Sequence, residues 1–203
     1  MAYNRIAKQS GFTIVELLIV IVIIGVLSSV AVAAFSGASD RATASRAAQH
    51  ANSYAKAFEL DYNTYAKYPD ISPLQDGSLT NYCLGSPSDF PVTSDFEAGQ
   101  CGMSSDDDTT KVYASAAFNT EIQKVMAPAS NLALPAVPHP WGLSFKHRGI
   151  QVQTAQFAGK WWSSFRWELR GRQSCAAGGS NTQTYYSDEN NVTRCLALLH
   201  SHL

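Results

Sequence analysis

Glu16 stands between Ile14-Val15 and Leu17-Leu18, the one charge in a run from Ser10 to Phe35 that is otherwise apolar or small. A carboxylate there has two uses. It sits where the first turn of a helix leaves N–H groups without partners. It is also an ionisable group in a lipid-compatible segment, which defaults to a functional role with a counter-charge to be found. The four cysteines, Cys83, Cys101, Cys175 and Cys195, offer a second chemistry. They show no zinc spacing, and an even count after an apolar segment suggests disulfides formed in an oxidising compartment. Three pairings are open. Proximity favours Cys83–Cys101 and Cys175–Cys195, each closing a loop worth about 3 kcal/mol in the chain-entropy view. A third group is Trp162, Arg166 and Arg170, where aromatic and basic residues interleave. The five histidines are scattered, and no G-x-S-x-G or H-E-x-x-H pattern occurs. No catalytic set, metal site or cofactor is expected.

From Leu17 to Phe35 the run carries no charge, and as a helix it approaches the thickness of a bilayer core. Arg5 and Lys8 precede it, which places the N-terminus in the cytoplasm and the rest outside. Three readings compete. One is a secretory signal cut near Ala31-Val32-Ala33. The second is an uncut anchor. The third is a cut at Gly11 that leaves the apolar helix on the mature chain.

Beyond the apolar run no proline occurs before Pro69. Ala47, Ala51, Tyr54, Phe58, Tyr62 and Tyr65 recur at helical spacing and form one face. The spacing predicts a single helix from about Phe12 into the low sixties, roughly 75–80 Å long, ended by Tyr68-Pro69. Residues 68–110 read as a long loop. Residues 110–126 read as a second helix with Phe118, Ile122 and Val125 on one face. Residues 127–140 hold four prolines and read as a connector. Strands follow at 149–157 and 160–170, with a hairpin of Tyr185-Tyr186 and 192–199 around an Asp188–Asn191 turn. In the strand from Lys160 to Arg170, Trp161, Phe165, Trp167 and Leu169 face one way. Trp162, Arg166, Glu168 and Arg170 face the other. The expected fold is α+β: a long helix, half membrane-spanning and half amphipathic, packed on a small antiparallel sheet with Trp161, Phe165 and Trp167 buried against it.

The stretch Ser10-Gly11-Phe12-Thr13-Ile14-Val15-Glu16-Leu17 resembles the processing site of type IV prepilins and pseudopilins: a short basic leader, Gly, a cut, Phe, then Glu four residues on, with an unbroken apolar helix behind. The resemblance covers roughly Arg5 to Phe35. It implies cleavage after Gly11 by a prepilin peptidase and methyltransferase, N-methylation of Phe12, and an assembly role for Glu16 facing the Phe12 amine of a neighbouring subunit. Its own Phe12 amine is a competing partner. The implied organisation is a leader at 1–11, a transmembrane and assembly helix at 12–35, an amphipathic half at 36–67 and a globular domain at 68–203. The implied partners are copies of the chain in a helical filament, the assembly machinery and the membrane. The implied locations are the cytoplasmic membrane and then an extracellular pilus. Many such chains have proline where this one has Ala33, which puts a strong kink there in doubt. A pseudopilin of a secretion or DNA-uptake system is the neighbouring alternative. From another class comes a membrane-anchored or secreted adhesion module.

Local charge is uneven although the net charge is −1. Residues 68–110 hold eight acids and no Lys or Arg, and residues 146–172 hold six bases and one acid. Two uses fit: complementary subunit contacts, or two solvated faces. For Trp162, Arg166 and Arg170 the readings are sheet surface and core, single-stranded nucleic acid, or a carbohydrate surface. Asp106-Asp107-Asp108 and Asp188–Asn191 lack full calcium-loop spacing and read as solvated turns.

Overall fold

The computed structural model describes residues 12–69, 79–104, 110–127, 132–142, 145–175 and 182–200. The leader, Gly11 and Asp106-Asp107-Asp108 lie outside them. The chain divides into two compact units, Met1–Ser39 and Asp40–Leu203. The elements in chain order are α1 (Ile14–Tyr65), β1 (Leu79–Cys83), β2 (Gln100–Met103), β3 (Lys111–Tyr113) and α2 (Ala116–Ile122). Then come β4 (Val137–Pro138), β5 (Lys146–His147), β6 (Ile150–Phe157), β7 (Lys160–Arg170), β8 (Thr182–Ser187) and β9 (Val192–His200).

In the first unit α1 is apolar on all sides and long enough to cross a membrane by length and composition. It continues helical through Gly25, Ser28 and Ser29. In the second unit α1 turns one face to the core. Ala44, Ala47, Ala51 and Ala55 are buried with Tyr54 and Phe58. Small residues let the helix backbone lie close to the sheet, and Phe58 fills the space between alanines. Its ring meets Phe165 edge-on at 4.9 Å and Phe118 at 6.2 Å. The helix stops at Ala66, whose φ of 56° is left-handed and whose N–H returns to the Tyr62 carbonyl at 2.8 Å. That reversal corrects the predicted face at its last member: Tyr65 is exposed. Tyr68, folded back beyond Ala66, is buried against Phe58 and Tyr62 instead.

The main sheet has the order β1-β6-β7-β9-β8, antiparallel at every step. Ala158 and Gly159, both at positive φ, make the two-residue turn between β6 and β7. β7 spans residues 160–170 as its alternation predicts, with Phe165, Trp167 and Leu169 buried toward α1. Trp161, near the start of the strand, is half-buried rather than in the core. The opposite face differs from a plain sheet surface. Arg166 and Glu168 are buried too.

Two segments fold differently from their sequence reading. The expected loop at 68–110 contains β1, the edge strand paired with β6, and β2. The expected helix at 110–126 is only Ala116–Ile122, capped by Ser115 Oγ, which accepts from the Phe118 N–H at 3.2 Å. Before it, Lys111–Tyr113 is β3, paired with β2, and places Val112 beside Phe90 and the Cys83–Cys101 bond. The second disulfide joins Cys175 to Cys195 on β9. The acidic and basic segments also meet inside the chain, as Lys146 pairs with Asp95 at 2.9 Å and Arg148 donates to the Gln100 carbonyl at 2.9 Å.

Truncating Phe58 to alanine should lower the unfolding free energy by about 3–5 kcal/mol, the cost of emptying a packed aromatic site. Tyr65→Ala should change it by no more than about 0.5 kcal/mol. Denaturant unfolding of the full chain in detergent measures both. Equal effects would place the end of α1 incorrectly.

Candidate functional site

The N-terminal site is built from the first turn of α1. Thr13 precedes the first helical residue, and Glu16 is the third. The Glu16 carboxylate accepts from the Thr13 backbone N–H at 2.9 Å and from its hydroxyl at 2.8 Å. The Thr13 hydroxyl in turn accepts from the Glu16 N–H at 3.3 Å. This is a reciprocal capping box. It satisfies backbone donors that lipid would leave bare. Phe12 is 83% exposed, and Glu16 is exposed as well.

The second site lies on the face of the main sheet turned away from α1. Glu168 of β7 is directly opposite Arg194 of β9. Arg194 donates to Glu168 Oε1 through Nε at 2.9 Å and through Nη2 at 2.6 Å, and both residues are buried. The β4–β5 pair lies over them. Val137 is opposite His147, and the His139 N–H reaches the Phe145 carbonyl, which brings both histidines to the carboxylate.

The hydrogen-bond network constrains the imidazole rings. Arginine only donates, so His139 Nε2, 2.6 Å from Arg194 Nη2, accepts, while the Trp141 backbone N–H points at its Nδ1 at 3.3 Å. Arg166 likewise donates to Gln151 Oε1, which turns the Gln151 amide nitrogen toward His147 Nδ1 at 3.2 Å. His147 therefore carries its proton on Nε2, which faces Glu168 Oε2 at 3.8 Å, beyond hydrogen-bond reach. Burial first, then the nearby arginines, lower the His139 pKa to about 4 and the His147 pKa to about 2. Both rings are neutral at pH 7.

His139, His147 and Glu168 bring potential ligand atoms within 4.8 Å of one another, a donor set that zinc accepts. Arg194 decides against that use. Its guanidinium already occupies His139 Nε2 and Glu168 Oε1, so the cation held by this set is the protein's own. A second, doubly charged cation would stand within a few ångströms of it.

The other expected site residues are dispersed. Arg166 is buried and gives its Nη2 to the Met103 carbonyl at 2.8 Å and to Gln151, so it is not a surface cation. Trp162 is half-buried, and Arg170 is exposed at the end of β7. The Asp188–Asn191 turn is tied by Arg172 to Asp188 at 3.4 Å and by the Tyr186 hydroxyl to Asn191 at 2.9 Å. Sequence reading passed over His139, His147 and Trp141. The available signal was two histidines flanking a Pro-Trp-Gly turn, together with Glu168, a lone acid on the outward face of a strand.

Comparison with known families matches the N-terminal segment. The model of the prokaryotic N-terminal methylation motif fits residues 6–32, which is the prepilin signature shared by type IV pilins and pseudopilins. No curated protein and no solved structure matches the chain.

Glu168→Leu alone should cost about 3–5 kcal/mol of stability, because it strands Arg194 without its counter-charge. Adding Arg194→Leu should recover part of that loss in a double-mutant cycle. The histidines set the pH response. In the unfolded chain they take up protons below about pH 6.5, whereas in the folded chain they resist until about 4 and about 2. Stability should therefore fall as pH drops below about 6.5, on the order of 1.4 kcal/mol per pH unit per histidine. Unfolding at pH 7.5 and 5.5 measures the slope, which His147→Gln should reduce.

Proposed function

We propose that this chain is the structural subunit of a type IV pilus-like filament, made as a membrane precursor, cut after Gly11, methylated on Phe12 and stacked through α1. The prepilin signature at residues 6–32 supports the precursor chemistry. The observation that carries the assembly reading is the surface of the first unit. From Phe12 to Phe35 its described large apolar side chains are 48–83% exposed. An apolar surface of that extent needs a cover. Lipid supplies it before assembly, and the helices of neighbouring copies supply it afterwards.

Glu16 then has two successive partners. In the single chain the Thr13 capping box engages it. In a helix bundle that excludes headgroups and water, a carboxylate needs a positive partner. Cleavage at Gly11 would create one, the amine of Phe12 on a neighbouring copy.

Sequencing the mature N-terminus in cells with a prepilin peptidase should return Phe12. A start at Ala34 would make the segment an ordinary signal peptide, and an intact leader would make it a plain anchor. Gly11→Val should run at the precursor mass. Glu16→Ala should still insert and be cut, yet give a much reduced yield of sheared filaments. Normal filament yield from that variant would remove Glu16 from assembly. Correct processing without surface filaments would favour the pseudopilin alternative.

A further inference from the structure

On the sheet face away from α1, beside the Glu168–Arg194 pair, lies a cleft of about 370 Å³. The strand register explains its layout. Asn81, Gln153 and Ser164 are opposite one another on β1, β6 and β7, so their side chains form one row across the floor. Trp162 precedes Ser164 by two residues on the same face of β7. Tyr185 on β8 is opposite Arg194, level with Glu168. Trp162 and the Tyr185 row are six residues apart along the strands, roughly 20 Å. Trp141, which follows β4, completes the wall.

Trp141 is 61% exposed and Tyr185 is 47% exposed, yet Trp141 is held in place. The Arg194 guanidinium lies 4.2 Å from its ring centroid, and the His139 ring lies 5.2 Å away. The buried ion pair thus fixes an aromatic platform that faces solvent, and fixing it in advance lowers the cost of binding.

Two observations select the ligand class. The rings offer flat apolar faces beside amide and hydroxyl groups. Asn81 gives one amide hydrogen bond to Ser104 at 3.2 Å, and an amide has capacity for more. The arginines, in contrast, point inward. Arg166 and Arg194 are each 7% exposed and donate to groups inside the protein. They are not presented to a phosphate backbone, which disfavours nucleic acid. No carboxylate occurs among the described lining residues to attract a cation.

We propose that this cleft binds a neutral oligosaccharide, with Trp141, Trp162 and Tyr185 stacking on pyranose faces and Asn81, Gln153 and Ser164 meeting the hydroxyls. The test uses the full chain in a detergent without a sugar headgroup. Tryptophan fluorescence and calorimetry follow titration with maltotetraose, cellotetraose and chitotetraose, and with a single-stranded dT oligonucleotide as the contrast. At least one sugar should bind saturably. Trp141→Ala and Trp162→Ala should each weaken it roughly tenfold or more, while Trp162→Phe should retain most of the affinity. The thermal unfolding midpoint and filament yield should stay near those of the parent, which separates this site from the assembly helix. If one of these alanine variants unfolds early, Tyr185→Ala, expected to weaken binding as well, carries the comparison. The proposal is overturned by absence of saturable binding to all three sugars, by undiminished binding in Trp141→Ala, Trp162→Ala and Tyr185→Ala, or by oligonucleotide binding that exceeds sugar binding and depends on the same rings.

Discussion

Strand β7 is buried on both faces, and the globular unit is organised around that constraint. One face gives Phe165, Trp167 and Leu169 to the core under α1. The other gives Arg166 and Glu168 to a polar layer closed by the β4–β5 pair. A strand between two layers ordinarily reads as continuously apolar. Here the second layer is made of charges and amides, so each needs a partner. Arg194, the two histidines and Gln151 supply them, arranged by the pairing of β7 with β6 and β9.

The two halves of α1 solve different problems with the same backbone. In the first unit the described large apolar side chains are exposed. In the second, alanines and Phe58 pack on the sheet. The helix start is stabilised locally, because Thr13 and Glu16 satisfy one another. In the filament reading, recruitment of Glu16 by a neighbouring amine is an exchange of partners, not the neutralisation of a bare charge. The energetic gain of assembly then rests chiefly on the packing of helix against helix in place of lipid.

Features with a strong period or strong punctuation were legible in the sequence. α1 followed from proline-free helical spacing, β7 from an eleven-residue alternation, and the β6–β7 turn from Ala158-Gly159. Short elements were not. β1 is five residues with Thr and Asn among them, and β3 is three residues. Their strand state comes from pairing with β6 and β2, which local composition does not encode. The same reason hid the polar layer. Alternation correctly turned Glu168 away from α1, but it could not show that the β4–β5 pair, far from β7 and β9 in the chain, would cover that side. Arg166 looked like a surface cation for want of that cover.

The opposition of Glu168 and Arg194 also fixes register. On a sheet with one wet face, a one-residue slip is punished because it exchanges inside and outside. A two-residue slip keeps every side chain on its own face and is harder to exclude by apolar patterning. For β7 against β9, that slip would set Glu168 opposite Val192 or Leu196 in place of Arg194. The carboxylate would then be buried opposite hydrocarbon, and Arg194 would face a like charge, Arg166 or Arg170. The pair therefore acts as an alignment mark: its contribution lies less in net stability than in the penalty it assigns to neighbouring registers.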